Sequence, residues 1–173
     1  MTDTPPPQPP DFSDPLAVLR GCHDDMLLQC DALENLLAHI HAQGFDAETR
    51  SRIASTVQFF TTVAVQHHQD EETDLFPILN RQSLKLADIV FRLRKDHEQL
   101  HQLWDTLFLD FKKGPALAED EAFATHVSEF CTAYREHIKR ETRELLSMAQ
   151  HILSHQQLED IGRAMARRRG IRR

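Results

Sequence analysis

Residues 53–78 read IASTVQFFTTVAVQHHQDEETDLFPI, and alternating steps of three and four residues along this stretch predict an amphipathic helix. The steps fall on Ile53, Val57, Phe60, Ala64, His67, Glu71 and Ile78. Two of these residues, His67 and Glu71, are unusual on such a stripe, because a helix normally presents apolar side chains to a core. Pro77 is expected to bend or end the helix near Phe76, since proline cannot continue the helical hydrogen-bond pattern.

This stripe is one of four helical stripes of mainly apolar residues, which we call seams. The other three lie at residues 16–40, 86–111 and 123–152. Gly44 is expected to end the first, and Gly114 with Pro115 the third, because these residues favour helix termini. Met148 continues the fourth seam towards its end. Each seam again carries polar residues: His23 on the first, His97 with His101 one turn further on the third, and His137 with Glu141 on the fourth.

No alternation of strand period reaches a useful length, so the predicted class is all-α. Four helices with short connections predict an up-down-up-down four-helix bundle. We expect a disordered, proline-rich N-terminus at residues 1–14, the bundle at residues 15–155, and a short fifth helix with an arginine-rich tail at residues 156–173. The fifth helix is predicted from about Gln156 to Arg168, with no chemistry in it, and the terminal arginines are expected to be solvated.

Composition limits the classes of function. The 173 residues carry a net charge of -7, which argues against a nucleic-acid binder with a broad basic surface. No apolar stretch approaches the length of a membrane span or has the form of a signal peptide. Three cysteines without paired metal spacing indicate small core residues in a reducing cytoplasm, and we therefore expect a cytoplasmic protein.

The polar residues on the four seams lie at comparable depths. With a rise of about 1.5 Å per residue and antiparallel neighbours, their levels agree within roughly 10 Å. We therefore expect seven groups in one layer: His23, His67, Glu71, His97, His101, His137 and Glu141. Side chains four residues apart point the same way, so one helix offers two donors to one metal ion or to adjacent ions. The sequence predicts a metal site, and the alternative is a buried hydrogen-bond network of histidines and glutamates.

The role of His68 stays open. It follows His67 directly on the same helix. Its side chain either faces the neighbouring helix and supports the ligands there, or supplies an eighth donor to the metal. Glu72 and Glu144 are expected to be solvated or to support the ligands. The other histidines lie away from the shared level and are predicted to be wholly or partly exposed: His39, His41, His126, His151 and His155.

Imidazoles with few carboxylates favour first-row transition metals over calcium or magnesium, and seven ligands exceed what one tetrahedral zinc ion takes. Two octahedral ions fit better. Five nitrogens fill five positions, two bridging carboxylates fill four, and one bridging oxide or hydroxide fills two. One of the twelve positions then stays open, and on a redox-active pair of ions such a position binds a small diatomic molecule.

The phrase HHQDEETDLFP at residues 67–77 resembles the second metal-binding element of the hemerythrin-like, HHE cation-binding family. The other elements, in the family's order, are similar to His23, to Asp96-His97, and to His137 with Glu141; together they span about residues 15–153. Each element alone is weak, but the set is specific. In the oxygen carriers of the family, an aspartate commonly stands five residues after the last histidine, whereas Glu141 follows His137 by four.

The resemblance implies a non-haem di-iron centre with an oxo or hydroxo bridge. Glu71 and Glu141 would bridge the two iron ions, and the five histidines of the layer would be terminal ligands. A histidine at position 101 is similar to the oxygen-binding hemerythrins, because many other members have a carboxylate there. We therefore expect a binding protein for dioxygen or nitric oxide, acting in sensing, storage or delivery, and not an enzyme.

Two other functions compete with this prediction. One is a stress-response protein that uses the same site to repair iron centres or to reduce peroxide or nitric oxide. The other is a regulatory module in which metal occupancy sets helix packing and the arginine-rich tail contacts a protein partner. The set of many imidazoles and few carboxylates favours reversible binding, because it leaves less negative charge on the iron ions.

Overall fold

The computed structural model describes residues 11–171 and confirms the all-α bundle. Its α-helices are α1 (Pro15–Gln43), α2 (Ala47–Gln69), α3 (Phe76–Leu79), α4 (Leu84–Phe111), α5 (Glu121–Arg140), α6 (Ser147–Ile152) and α7 (His155–Arg168). Two π-helical turns, Asp70–Leu75 and Glu141–Leu146, join α2 to α3 and α5 to α6. A 3-10 turn, Gly114–Glu119, precedes α5. The four rods of the bundle are α1, the α2–α3 segment, α4 and the α5–α6 segment.

A residue with a short polar side chain precedes the first helix of every rod. Asp14, Asp46, Ser83 and Asp120 each accept a hydrogen bond from a backbone N–H in the first turn that follows. Such caps satisfy amides that a helix leaves without partners. Gly44 ends α1 as predicted, with a positive φ of 76° that side-chain-bearing residues rarely adopt. The connections between rods are short, which places consecutive rods side by side and antiparallel.

The π-helical turns displace the apolar stripe of two rods. Ile78 and Met148 were predicted on the stripe, seven residues after Glu71 and Glu141, but both are only partly buried. The buried residues instead lie four, five and eight positions after each glutamate: Leu75, Phe76 and Leu79, and Leu145, Leu146 and Ala149. A π-helical turn contains one residue more than an α-helical turn, so the buried positions that follow it shift by one residue along the sequence. Pro77 lies in the first turn of α3, where its missing N–H costs little, so the rod continues to Leu79.

Each rod passes from one apolar cluster into another. The first cluster fills the end of the bundle that includes Leu19, Leu93 and the residues after both π-helical turns. The second cluster fills the opposite end and includes Met26, Leu100 and an aromatic group around Phe60. Six of the seven predicted polar residues, all except His101, are buried on the rods between these two clusters, so the fold places them in a layer that crosses the bundle.

The C-terminal helix α7 packs on the first cluster through Ile161, Met165 and Ala166. It begins at Ser154, which makes a reciprocal capping box with Gln157. Phe12 is buried in the same cluster, although it lies in the segment predicted as disordered. Residues 1–10 of that segment lie outside the described residues. No helix within residues 11–171 combines the length and the apolar character that a membrane span requires.

Candidate metal centre

Seven titratable side chains meet in the layer between the two apolar clusters, and each is at most 6 % exposed. They are His23, His67, His68, Glu71, His97, His137 and Glu141. All four rods contribute, and the two carboxylates stand at the π-helical turns, where α2 and α5 lose their regular pattern. Turns of this kind are frequent at functional sites because they aim a side chain away from the regular helical register.

One group of donors comprises His23, His67, Glu71 and Glu141, whose ligand atoms all lie within 4.8 Å of one another. His23 Nε2 lies 3.1 Å from His67 Nε2 and 3.1 Å from Glu141 Oε2. His67 Nε2 lies 2.7 Å from Glu71 Oε1. The other nitrogen of His23 contacts the Thr142 hydroxyl at 3.2 Å, which fixes the ring with Nε2 facing inward.

The second group comprises His68, His97 and His137. The Nδ1 atom of His97 donates to Glu72 Oε1 at 2.8 Å, and that of His137 donates to Asp96 Oδ2 at 3.5 Å. A proton on Nδ1 leaves the lone pair of Nε2 directed into the layer, which is the tautomer that a metal ligand requires. Arginines anchor both carboxylates from the outside: Arg94 pairs with Glu72 at 3.0 Å, and Arg140 pairs with Asp96.

The two carboxylates of the first group, Glu71 and Glu141, also face histidines of the second group. Glu71 directs Oε1 to His67 and Oε2 to His97, whose Nε2 is 3.1 Å away. Glu141 Oε2 lies 3.1 Å from His23 Nε2 and 3.5 Å from His137 Nε2. A carboxylate that faces nitrogen donors on two sides has the position from which it can bridge two cations.

Burial and charge set the protonation of the layer. Without a metal ion, burial opposes charge on His67 and on His97, but nearby carboxylates outweigh it, raising the pKa of His67 well above its usual value and that of His97 to about 9. A metal ion would displace the protons from their inner nitrogens. Burial likewise disfavours charge on Glu71, yet the two histidines lower its pKa well below the usual value. His68 differs, because burial and the neighbouring His97 both lower its pKa, which keeps its imidazole neutral at pH 7.

Seven nitrogen and oxygen atoms of the layer are buried without a hydrogen bond. They are Nδ1 of His67, Nε2 of His68, His97 and His137, both oxygens of Glu71, and Oε1 of Glu141. Buried polar atoms of native proteins nearly always have partners. Donors about 2.1 Å from one metal ion and at right angles to each other lie about 3.0 Å apart, which agrees with the contacts of His23. The residues therefore fit metal ions.

His101 lies outside both groups. It is four residues beyond His97, a rotation of about 400°, which turns its side chain about 40° off the stripe. The residue is exposed, and its ring centroid lies 5.6 Å from that of His68. It lines a cavity of about 390 Å³ that reaches His68 and His97 from the surface. His68 instead occupies the layer, stacked on His97 at 4.1 Å between ring centroids.

The structure brings together the other six residues that the sequence singled out: His23, His67, Glu71, His97, His137 and Glu141. Histidines expected away from the layer do lie outside it. For example, His155 is 89 % exposed, and His126 pairs with Asp110. The orienting roles of Thr142 and Asp96 were not predicted from the sequence. For Asp96, direct adjacency to a candidate ligand was the available signal.

Residues 14–149 match the family model described as the hemerythrin HHE cation binding domain. The chain belongs to this family. The hemerythrin HHE match covers the first three rods, the fourth rod as far as residue 149 and every residue of the polar layer, but stops before α7. A protein of Haemophilus influenzae, described as an uncharacterized protein, is 26 % identical over 161 residues, which cover 93 % of each chain.

Membership in the hemerythrin HHE family and the geometry of the layer agree on one point. The family binds cations, and the chain offers two adjacent clusters of buried histidines and glutamates as candidate metal sites. The hemerythrin HHE domain is therefore a metal-binding domain with its donors in the middle of the bundle.

Proposed function

We propose that the chain binds two iron ions in the polar layer and, through them, dioxygen or nitric oxide for sensing, storage or delivery. The observation that carries this proposal is the pair of histidine groups that share Glu71 and Glu141, with seven buried nitrogen and oxygen atoms that lack hydrogen bonds. A site for one ion does not account for seven inward-facing groups.

In the proposed centre, His23 and His67 would hold one iron ion, and His68, His97 and His137 would hold the other. The two ions would share Glu71 and Glu141, together with an oxide or hydroxide. This assignment keeps the count of five nitrogens and two carboxylates, with His68 in the place for which the sequence suggested His101. One of twelve positions stays open, and a redox-active ion with an open position binds small diatomic molecules.

Residues around the proposed centre hold its ligands in place, and a cavity gives access to it. Glu72, Asp96 and Thr142 fix the rings of His97, His137 and His23, so that each presents its inner nitrogen. By this count the open position falls on the ion held by His23 and His67. A cavity of about 420 Å³ reaches His23 from the surface past Leu27 and Ile138, which gives a small molecule access to that ion.

The direct test is to load the protein with ferrous iron without oxygen, measure the iron content, and record absorption spectra before and after adding dioxygen or nitric oxide. We expect about two iron ions per chain and a saturable spectral change that reverses when the gas is removed. His137→Ala should lose iron, whereas His155→Ala should keep it. One iron ion per chain, or equal retention by both variants, would contradict the di-iron assignment.

Solvent access supports a second candidate. The cavity beside His101 is open at the surface and leads to His68 and His97, so larger reactants or chelators also reach the layer. The stress-response functions, iron-centre repair and the reduction of peroxide or nitric oxide, require such access. Rapid turnover of peroxide or nitric oxide, or rapid transfer of iron to an acceptor, would favour this candidate over reversible binding.

A further inference from the structure

The arginine-rich end of α7 does not project into solvent as predicted, because two of its side chains bind a buried carboxylate of the second rod. Arg169 donates to Asp70 from Nη2 at 2.7 Å and from Nη1 at 3.2 Å. Arg168 also pairs with Asp70 and donates to Asp74 at 2.7 Å. Asp70 itself has no exposed surface. Both arginines lie beyond the residues that the family model matches.

Asp70 is the first residue of the π-helical turn and directly precedes Glu71. Its backbone N–H still donates to the carbonyls of Gln66 and His67, while the N–H of Phe76 donates to the carbonyl of Glu71, five residues back. The change from α-helical to π-helical pairing thus begins at Asp70. Asp70 and Glu71 are consecutive residues of this turn, so a displacement of the Asp70 backbone also moves Glu71.

The other π-helical turn has the same design with the charges reversed. Arg140 directly precedes Glu141, and its guanidinium pairs with Asp96 on α4. In both turns, therefore, the residue before the shared carboxylate is charged and is anchored by an ion pair to a different helix. Only the first turn takes its anchor from α7.

The position of α7 is itself tightly defined. Gly162 lies so close to Phe12 that an added Cβ atom would come 2.0 Å from the carbonyl oxygen of Phe12. Arg169 lies over the ring of Phe12 at 5.5 Å and donates to the carbonyl of Met165 at 3.1 Å. The Arg169 guanidinium is therefore positioned by contacts other than Asp70, which reduces the side-chain entropy lost when it binds Asp70.

We propose that α7 is a positioning element of the metal centre, in which Arg168 and Arg169 hold Asp70 and thereby set Glu71 for metal binding. The inference rests on the proposed metal-binding function of the layer. Without the guanidinium groups, Asp70 would be a buried carboxylate without hydrogen-bond donors, and such a side chain moves towards water. That movement would alter the turn that carries Glu71.

Cobalt(II) is a suitable probe, because its visible absorption reports the number and geometry of its ligands. We would titrate the wild type and the double variant Arg168→Gln/Arg169→Gln with Co²⁺ and measure affinity against a chelator. Changes in groups that support ligands typically weaken metal binding by about 10–100-fold. We expect a loss in that range and an altered visible spectrum. Asp70→Asn, which keeps the shape of the side chain, should act in the same direction and serves if the double variant does not fold.

Two controls separate positioning from general effects. Arg163→Gln removes a charge from α7 whose ion pairs, with Glu159 and Asp160, are exposed, and it should bind Co²⁺ as the wild type does. Leu33→Ala removes a buried side chain from the second apolar cluster and lowers stability away from the turn. Wild-type affinity and spectrum in the double variant, or an equal loss in Leu33→Ala, would overturn the inference.

Amide hydrogen exchange of the protein prepared without metal gives a readout that does not depend on metal binding. In the double variant, the amides of residues 70–75 should exchange faster than in the wild type, while those of the second π-helical turn should not change. Faster exchange in both turns alike would contradict a local anchor. If the wild type bound no Co²⁺, the proposed function would fail, whereas failure of the variants alone would remove only the role of α7.

Discussion

Replacing His68 by leucine should make the metal-free protein more stable and the metal-loaded protein less stable. His68 is 6 % exposed, its imidazole is held neutral, and its Nε2 atom makes no hydrogen bond. Leucine has a similar volume and no polar atom to satisfy. The same change at His101, an exposed residue at the edge of the neighbouring cavity, is the matched control.

The expected magnitude follows from the unpaired nitrogen. Burying a polar atom without a partner costs about 1–3 kcal/mol, so His68→Leu should raise the free energy of unfolding of the metal-free protein by about 1–2 kcal/mol. At this chain length, about 1 kcal/mol corresponds to a shift of about 2–4 °C in Tm. A substitution at an exposed position such as His101 usually changes stability by less than about 0.5 kcal/mol.

Scanning calorimetry of metal-free and iron-loaded samples, together with iron analysis, tests this prediction. The metal-free His68→Leu variant should melt above the wild type, hold fewer than two iron ions, and gain less in Tm on loading. His101→Leu should match the wild type in all three measurements. If His68→Leu kept two iron ions with the full gain, or if His101→Leu lost iron, the assignment of His68 as a ligand would be wrong.

Three further predictions concern metal removal, ligand orientation and packing. Removing the metal should lower Tm markedly, because a ligand present at a thousandfold excess over its Kd contributes about 4 kcal/mol; equal melting temperatures would mean that the buried groups satisfy one another. Asp96→Asn should weaken iron binding by about 10–100-fold in a chelator competition, since Asp96 orients His137; unchanged affinity would show that the ring is held without it. Gly162→Ala should lower the free energy of unfolding by roughly 1–3 kcal/mol in urea, because the new Cβ atom meets the backbone of Phe12; an unchanged midpoint would contradict the close contact.

Much of the fold could be predicted because helical periodicity is a local property of the sequence. Steps of three and four residues located all four rods, and Gly44 marked the end of α1. The π-helical turns were not predicted, since an inserted residue changes the phase of the stripe without changing its composition. A signal was available: the adjacent apolar pairs Leu75-Phe76 and Leu145-Leu146 stand at the same distance after each glutamate.

The candidate site could be predicted less completely, for a geometric reason. Spacing along a helix shows which residues share a face, but it does not show whether a residue at the edge of that face turns inward. His68 on α2 and His101 on α4 are both edge residues, and the sequence pattern favoured His101, which the structure leaves exposed. The ion pairs of Arg168 and Arg169 with Asp70 join residues about a hundred positions apart, a contact that no local pattern contains.

The position of the polar layer between two apolar clusters also bears on how the protein unfolds. Each rod is anchored by apolar contacts at both ends and crosses, in the middle, a plane of polar groups that need partners. Metal ions in that plane would join all four rods at one point and so couple the two clusters into one cooperative unit. Without them, the ends of the bundle depend on each other mainly through helical backbone, and one can open before the other. Metal binding in this chain therefore decides the cooperativity of unfolding as well as its midpoint.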